Sequence, residues 1–501
     1  MSAPLILATN SIKDTGFNVA NSYFIGDDAK TSVTNTTPTN TKIFTISFWI
    51  KMHEFPTSGG DRPIFGYFSD SNNQAYMYLR NDGTLGIFEN ESGNTKIDIR
   101  TTQVLRDPGA FYNIIMAIDT SQGTAANRLK LYINGSQVSA FAAENYPAQD
   151  YASQWNENSL VFHVGGTATN DGNHVKGTFC EFAFIDGQQL DQTSFGVFDE
   201  DDLENTLTVF KPIALSTLTF GNNGFLLEFK QTGTSANSSG IGADTSGNNR
   251  HHSVTNIVAT DQRTDTCTNN FATYNSILSQ VAGVDGRGGS WNGQLAEGNL
   301  SAGTAVDTYN NQFSTFGLDS GKWYAEFKMS TTDNNFSHGI VNHVFFSSLG
   351  SFIGQSTSTG VRNIGYYSQN GQVLKNNSAQ YTGSTYGVSG TDVISIALDL
   401  DNNFVYFAKN GTFQNSGNPA SGSSGTGGVA IDANTTWFLG STSHSLSSSG
   451  LKISFANFGN PPTGFTISSG NSDGEGFGNF EFAVPSGYFA ICSKNLSEYG
   501  G

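Results

Sequence analysis

Residues 200–204 read Glu-Asp-Asp-Leu-Glu, so that Glu200, Asp202 and Glu204 fall on alternate positions. Carboxylates spaced this way on a strand facing a cleft can act as nucleophile and acid/base in glycoside hydrolysis, at a separation of about 5–5.5 Å. The same strand would have to send Asp201 into the core without a partner, which is costly. The run also follows Phe198-Asp199 at a change of composition. An exposed acidic loop fits better, and no enzyme is expected.

A second chemistry-bearing segment runs from Ala143 to Asn158 and holds Tyr146, Tyr151 and Trp155 among Asn, Gln, Asp and Glu, without strand alternation. Rings stack on the C–H face of a sugar while amides and carboxylates satisfy its hydroxyls. These three residues are therefore candidate glycan contacts, and Trp291 in Gly288-Gly289-Ser290-Trp291-Asn292-Gly293 is a fourth. The alternative is that the rings pin the loop onto a core. A third segment, Asp244-Thr245-Ser246-Gly247-Asn248-Asn249, clusters oxygen donors of the kind calcium prefers. It also reads as a turn in which Asp and Asn side chains bond their own backbone. His251-His252 lacks zinc partners at useful spacing. No phosphate-binding loop or nucleophile elbow opens a helix.

The elements that must carry these residues are strands. The chain has 501 residues, of which only 13% are charged, with 58 Gly and 39 Phe. It exceeds the span of one core, and two all-β domains are expected. Alternation is clear in Phe44-Thr45-Ile46-Ser47-Phe48-Trp49-Ile50-Lys51, whose other face carries Trp49 and so needs a cover. Two further strands run into Asn134-Gly135 and Asn410-Gly411, pairs that tolerate the positive φ angles of two-residue hairpins. The formal charge of −18 repels nucleic acid and anionic membranes. Cys180, Cys267 and Cys492 imply no disulfide framework, in keeping with folding in a reducing cytoplasm. The first eight residues do not read as a signal peptide, and no run is long enough for a membrane span.

The Phe44–Lys51 strand, the Leu129–Gly135 hairpin and Gly177-Thr178-Phe179-Cys180-Glu181-Phe182-Ala183-Phe184-Ile185-Asp186-Gly187-Gln188 resemble laminin G-like, concanavalin-type domains. Continued through Leu190-Asp191-Gln192-Thr193-Ser194-Phe195-Gly196, the last strand is similar to virion proteins of tailed bacteriophages, as is the tail Pro485-Ser486-Gly487-Tyr488-Phe489-Ala490-Ile491-Cys492. Gly321-Lys322-Trp323-Tyr324, the stretch from Asp392 to Asp401, and Phe407 to Gly411 resemble a SPRY domain. The Glu-x-Asp-x-Glu spacing is similar to that of a concanavalin-fold family of retaining glycosidases.

These resemblances imply an all-β protein of two antiparallel β-sandwich domains in tandem, jelly-roll in type, the first concanavalin-like and the second SPRY-like. Residues 1–212 would form the first sandwich, 213–320 a Gly/Ser/Asn-rich connection with the first strands of the second, 321–460 the SPRY-like sandwich, and 461–501 a tail docked on it. A laminin G-like domain often carries calcium, with Asp244 and Asn248 as candidate ligands here; no other cofactor is implied. The implied role is a bacteriophage virion structural protein, a tail-associated or fibre-like adhesin for host-surface glycans, assembled in the bacterial host cytoplasm. Its partners would be other virion proteins, a host glycan and further copies of itself, a trimer for a fibre. A capsid decoration or head-fibre protein is the alternative, and a glycan depolymerase ranks last.

Overall fold

The computed structural model describes residues 16–26, 28–54, 60–168, 174–198, 209–276, 293–304, 309–329, 335–347, 350–387, 390–444 and 452–500. The chain divides into two compact units, one ending at Asn270 and the other running from Phe271 onward. Each is a pair of facing sheets, and the protein is a tandem of antiparallel β-sandwiches.

In the first unit one sheet runs in the order β10 (Ser136–Gln137), β9 (Leu129–Ile133), β8 (Phe111–Asp119), β3 (Ile43–Met52), β13 (Gly177–Asp186), β1 (Ser22–Ile25) and β18 (Gln262–Arg263), with β16 (Phe225–Leu227) also paired to β13. Its partner runs β11 (Phe141–Asn145), β7 (Asn94–Val104), β6 (Thr84–Glu91), β5 (Asn73–Leu79), β4 (Arg62–Asp70), β12 (Val161–Val164), β2 (Lys30–Thr34) and β17 (Ser253–Thr255). A short ribbon pairs β14 (Gly196–Phe198) with β15 (Phe210–Pro212).

Alternation fills the space between the sheets. Phe44, Ile46, Phe48 and Ile50 of β3 are fully buried and face Phe65, Met77, Ile87 and Ile99 of the partner sheet's core face. Phe182 sits at the centre, with ring centroids 5.3 Å from Phe48, 5.3 Å from Phe65, 5.9 Å from Phe179, 6.1 Å from Phe225 and 6.3 Å from Phe162. The hairpin signals match the backbone: Asn134 and Gly135 have φ of 49° and 76°, and Asn410 and Gly411 of 49° and 77°.

The outer face of the β3 sheet carries Trp49, and it is covered. Trp49 stacks on Phe210 at 6.1 Å and joins Val19, Phe111, Cys180 and Cys267 in a buried cluster. Beside it Ile115, Tyr132, Ala183 and Ile185 lie under Phe195, Leu215, Phe220 and Leu226. Residues 213–270 thus belong to the first sandwich, a correction to the expected boundary at residue 212. The cause is apolar anchoring at wide intervals: Phe225, Leu227, Phe229, Ile241 and Ile257 enter the first core.

In the second unit one sheet runs β19 (Gly293–Ala296), β20 (Ser301–Thr304), β32 (Lys452–Asn457), β22 (Lys322–Met329), β27 (Val393–Asp399), β28 (Phe404–Lys409) and β29 (Thr412–Phe413), with β30 (Val429–Ala430) on β28 and β33 (Phe489–Ala490) on β22. The other runs β21 (Tyr309–Phe313), β31 (Trp437–His444), β23 (Phe336–Asn342), β24 (Asn363–Tyr367), β25 (Gln372–Lys375) and β26 (Ser378–Thr382). Here too the outer faces are covered. The C-terminal segment brings Phe480, Tyr488, Ala490 and Cys492 against Tyr324, Ala397 and Tyr406. Phe345, Ile353 and Val361 cover Phe313, Val341 and Phe438. A buried carboxyl clamps the tail: Glu326 accepts the backbone N–H groups of Glu481 and Phe482, both at 2.9 Å. Among the described residues no helix is long and apolar enough to cross a membrane.

Truncating Phe182 removes the ring that the other core rings surround, leaving a void that rigid sheets cannot close. Phe182→Ala is expected to lower the first unit's stability by about 3–5 kcal/mol in urea unfolding.

Candidate functional site

The sequence-derived candidates separate once placed. Ser153, Gln154, Trp155 and Asn156 are all buried, and Trp155 is fully buried in the first core, its ring centroid 5.3 Å from Phe65. A ring with no exposed face cannot stack on a sugar, so the glycan role expected for Trp155 is corrected to packing. Tyr146 is partly buried and meets Phe141 edge-on at 6.5 Å. Tyr151 is half-buried; its hydroxyl donates to Glu89 Oε1 at 2.7 Å, and Lys96 lies 5.7 Å from its ring centroid. The loop is therefore pinned by its rings. Trp291 lies outside the described residues, as does the acidic run 200–204.

Glu89 is the anchor of that loop. Its fully buried carboxyl also accepts Ser153 Oγ–H at 2.8 Å and the Gln154 N–H at 2.7 Å. Burial pushes its pKa up to about 7, against the lowering effect of these hydrogen bonds.

Asp244 performs the work of a turn. Its Oδ1 accepts the N–H groups of Leu226 at 2.9 Å and Ser246 at 2.8 Å, while Oδ2 accepts the Arg250 N–H at 2.9 Å and the Ser246 hydroxyl at 2.9 Å. Asn248 donates its side-chain amide to the carbonyls of Gly221 and Gly224 at 2.6 and 2.8 Å. The two side chains thus bind the 221–226 segment to the turn. Among the described residues no group of three or more His, Cys, Asp or Glu is placed to hold a metal ion.

A different cluster emerges on the outer face of the β4–β7 region. Residues opposite one another in a ladder share a face. Phe65, Met77, Ile87 and Ile99 make one such row and point into the core. The neighbouring row, Gly66, Tyr76, Phe88 and Asp98, therefore points outward, and so does the row of Pro63, Tyr78, Gly86 and Arg100. Tyr76 lies 5.5 Å from Tyr78 and 5.7 Å from Phe88 between ring centroids. Gly86 is needed beneath this array, because a Cβ there would fall 2.0 Å from Tyr78 Cζ. Tyr76 and Phe88 keep partial exposure, whereas Tyr78 is buried against its neighbours.

Charged groups flank the tyrosines: Asp61 and Asp98 act on both hydroxyls and Arg100 on that of Tyr78. Arg80 Nε lies 3.8 Å from Asp61, Arg80 Nη1 3.8 Å from Asp82, and Arg100 Nε 3.6 Å from Asp98. These separations exceed a hydrogen bond. The side chains are 30–50% exposed, although Asp82 Oδ1 already accepts the N–H and hydroxyl of Thr84 and Arg100 Nε is buried. Burial, then Asp61 and Asp98, push the Tyr76 hydroxyl up to about 12, and the same causes raise Tyr78 further. Both phenols stay protonated as donors. Flat rings edged by carboxylates and guanidinium groups are the set a pyranose needs: a surface for its C–H face, acceptors for its hydroxyl protons and donors for its hydroxyl oxygens.

The available signal in the sequence was Tyr76-Met77-Tyr78-Leu79, which is apolar on both faces of its strand. A strand with aromatic residues on the face away from the core announces a second contact surface.

Residues 26–192, a span that contains the outer-face cluster, match a family model described as the concanavalin A-like lectin/glucanases superfamily. No curated protein matches the sequence. Among solved structures, mouse laminin alpha1 chain domains LG4-5 are 10% identical with a TM-score of 0.27, covering 85% of this chain and 84% of that one. A putative carbohydrate binding protein from Bacteroides ovatus is 14% identical with a TM-score of 0.30, covering 50% and 60%. The SPRY domain of human HERC1 is 14% identical with a TM-score of 0.26, covering 35% and 94%.

Glu89 supplies a pH test of the buried anchor. Its folded value of about 7 lies above the ordinary 4.5, so the folded chain holds a proton that the unfolded chain has released within that window. The resulting stabilisation is complete below the ordinary value and is lost as pH rises through the folded one. Compared with Glu89→Gln, the native chain should lose stability on the order of 1–3 kcal/mol between those limits, read from urea midpoints. A pH-independent difference would place the ionisation elsewhere. In a separate variant, Trp155→Ala should cost about 3–5 kcal/mol.

Proposed function

We propose that this chain is a glycan-binding protein that works without catalysis, and that the outer face bearing Tyr76, Tyr78 and Phe88 is its sugar platform. The observation that carries this reading is that Tyr76 and Phe88 keep partial exposure on the outer sheet face, next to Tyr78, with Asp61, Asp98 and Arg100 close enough to act on the tyrosine hydroxyls. The match of residues 26–192 to a lectin and glucanase superfamily supports it.

We further propose that the protein is a virion component of a tailed bacteriophage, tail-associated or fibre-like, that recognises host-surface glycan as a homo-oligomer. Support for this finer reading comes from the sequence likeness of residues 177–196 and 485–492 to phage virion proteins. Shallow single-sugar contacts are weak, and several copies on one particle would multiply them through effective concentration.

The experiment is binding of purified protein to host polysaccharide and to whole cells. Replacing Tyr76 and Phe88 together by Ala should weaken polysaccharide binding roughly tenfold or more in calorimetry, a loss of about 1.4 kcal/mol or greater. The urea midpoint should move little, because both rings lie outside the core. Unchanged binding would refute the platform, and failure of the native chain to bind cells would favour a passive capsid decoration.

A further inference from the structure

A second chemical centre lies away from that platform, at the end of the first unit. Lys51 points out of β3 on the face opposite to the main core, and its side chain is fully buried. Its Nζ donates to Asp265 Oδ2 at 2.9 Å and to Asn270 Oδ1 at 2.7 Å. Asp265 and Asn270 are themselves 2% and 1% exposed. Phe111 lies beside the amine, with Nζ 5.6 Å from its centroid. Asn270 is held at its other end, where Nδ2 donates to the Gly109 carbonyl at 2.7 Å.

These groups form a set with a reaction open to it. A primary amine rests against a carboxamide whose orientation is fixed at both ends, and a carboxylate touches the same amine. Water, the competing nucleophile, is excluded by burial. Close, fixed approach replaces an improbable encounter by a step within one molecule. A bare ammonium and carboxylate would instead bear the desolvation cost of a buried ion pair, which the reaction relieves by removing the charge from Lys51.

We propose that Lys51 and Asn270 become joined by an intramolecular isopeptide bond, with Asp265 as the proton carrier. Asp265 takes one proton from the Lys51 ammonium, and the freed amine attacks Cγ of Asn270. The new Nζ–Cγ bond forms as the Cγ–Nδ2 bond breaks. The second proton from Nζ passes to Nδ2, which leaves as ammonia; Nζ keeps the third as the amide N–H, and Asp265 ends protonated. No oxidant or other reactant is required. The product fastens the strap 265–270 covalently to β3, so that tension on the chain beyond Asn270 would reach the sheet through an amide rather than through hydrogen bonds.

The test is the intact mass of the purified full-length chain, followed by fragment sequencing of its digest. The expected result is a molecule lighter than its sequence by one ammonia, with the peptide holding Lys51 linked to the peptide holding Asn270. Lys51→Arg keeps the positive charge and should leave the mass at the sequence value. Asp265→Asn, checked for native circular dichroism, should form little or none of the linked product. A folded native chain at full sequence mass overturns the proposal. Loss of one water with Lys51 linked to Asp265 overturns the choice of acceptor, and unimpaired linkage in folded Asp265→Asn overturns the role of Asp265.

Discussion

A β-sheet buries one face against its partner and must either cover or solvate the other, and this constraint organises the molecule. The inner faces are filled by Phe, Ile and Leu at period-two positions, with Phe182 central in the first unit. The outer face of the β3 sheet takes apolar side chains and is roofed by Phe195, Phe210, Phe220 and Leu226. In the second unit the same need is met by Phe480 and Tyr488 on one sheet and by Phe345 and Ile353 on the other. Irregular segments rich in Gly, Ser and Asn do this work, which is why so much of the chain lacks strand alternation.

The roofing segments are held by buried polar anchors as well as by short ladders such as β33 on β22 and β16 on β13. Glu89 fixes the 151–154 loop, Glu326 the tail, Asp244 the 221–226 turn and Lys51 the strap at 265–270. The three carboxylates accept backbone N–H groups that an irregular segment would otherwise bury unpaired, whereas Lys51 donates to the side chains of Asp265 and Asn270 in its strap. Burial then raises Glu89 and Glu326 to about 7, so cover attachment and proton uptake are linked.

Seen this way, the Tyr76, Tyr78 and Phe88 face is unusual among the outer faces. It is apolar enough to merit a roof, yet Tyr76 and Phe88 keep partial exposure, and Asp61 and Asp98 flank the tyrosines. Among the described residues it remains the partly exposed aromatic face on which the proposed glycan contact rests.

Strands and hairpins were legible because alternation and Asn-Gly pairs are local: Phe44–Lys51, Asn134-Gly135 and Asn410-Gly411 all appear as read. So was the need to cover Trp49. The boundary was not legible, since Phe225, Phe229 and Ile241 carry no period that says which core they enter. The aromatic loop misled for a related reason: Trp155 looks the same in sequence whether it faces sugar or Phe65. Register decides such cases, and register is a property of paired strands. The most direct measurement is hydroxyl-radical footprinting of the intact chain with and without host polysaccharide. Protection of Tyr76 and Phe88 with Tyr146 unchanged is expected; protection confined to other aromatic residues, or none at all, would contradict a sugar platform on this face.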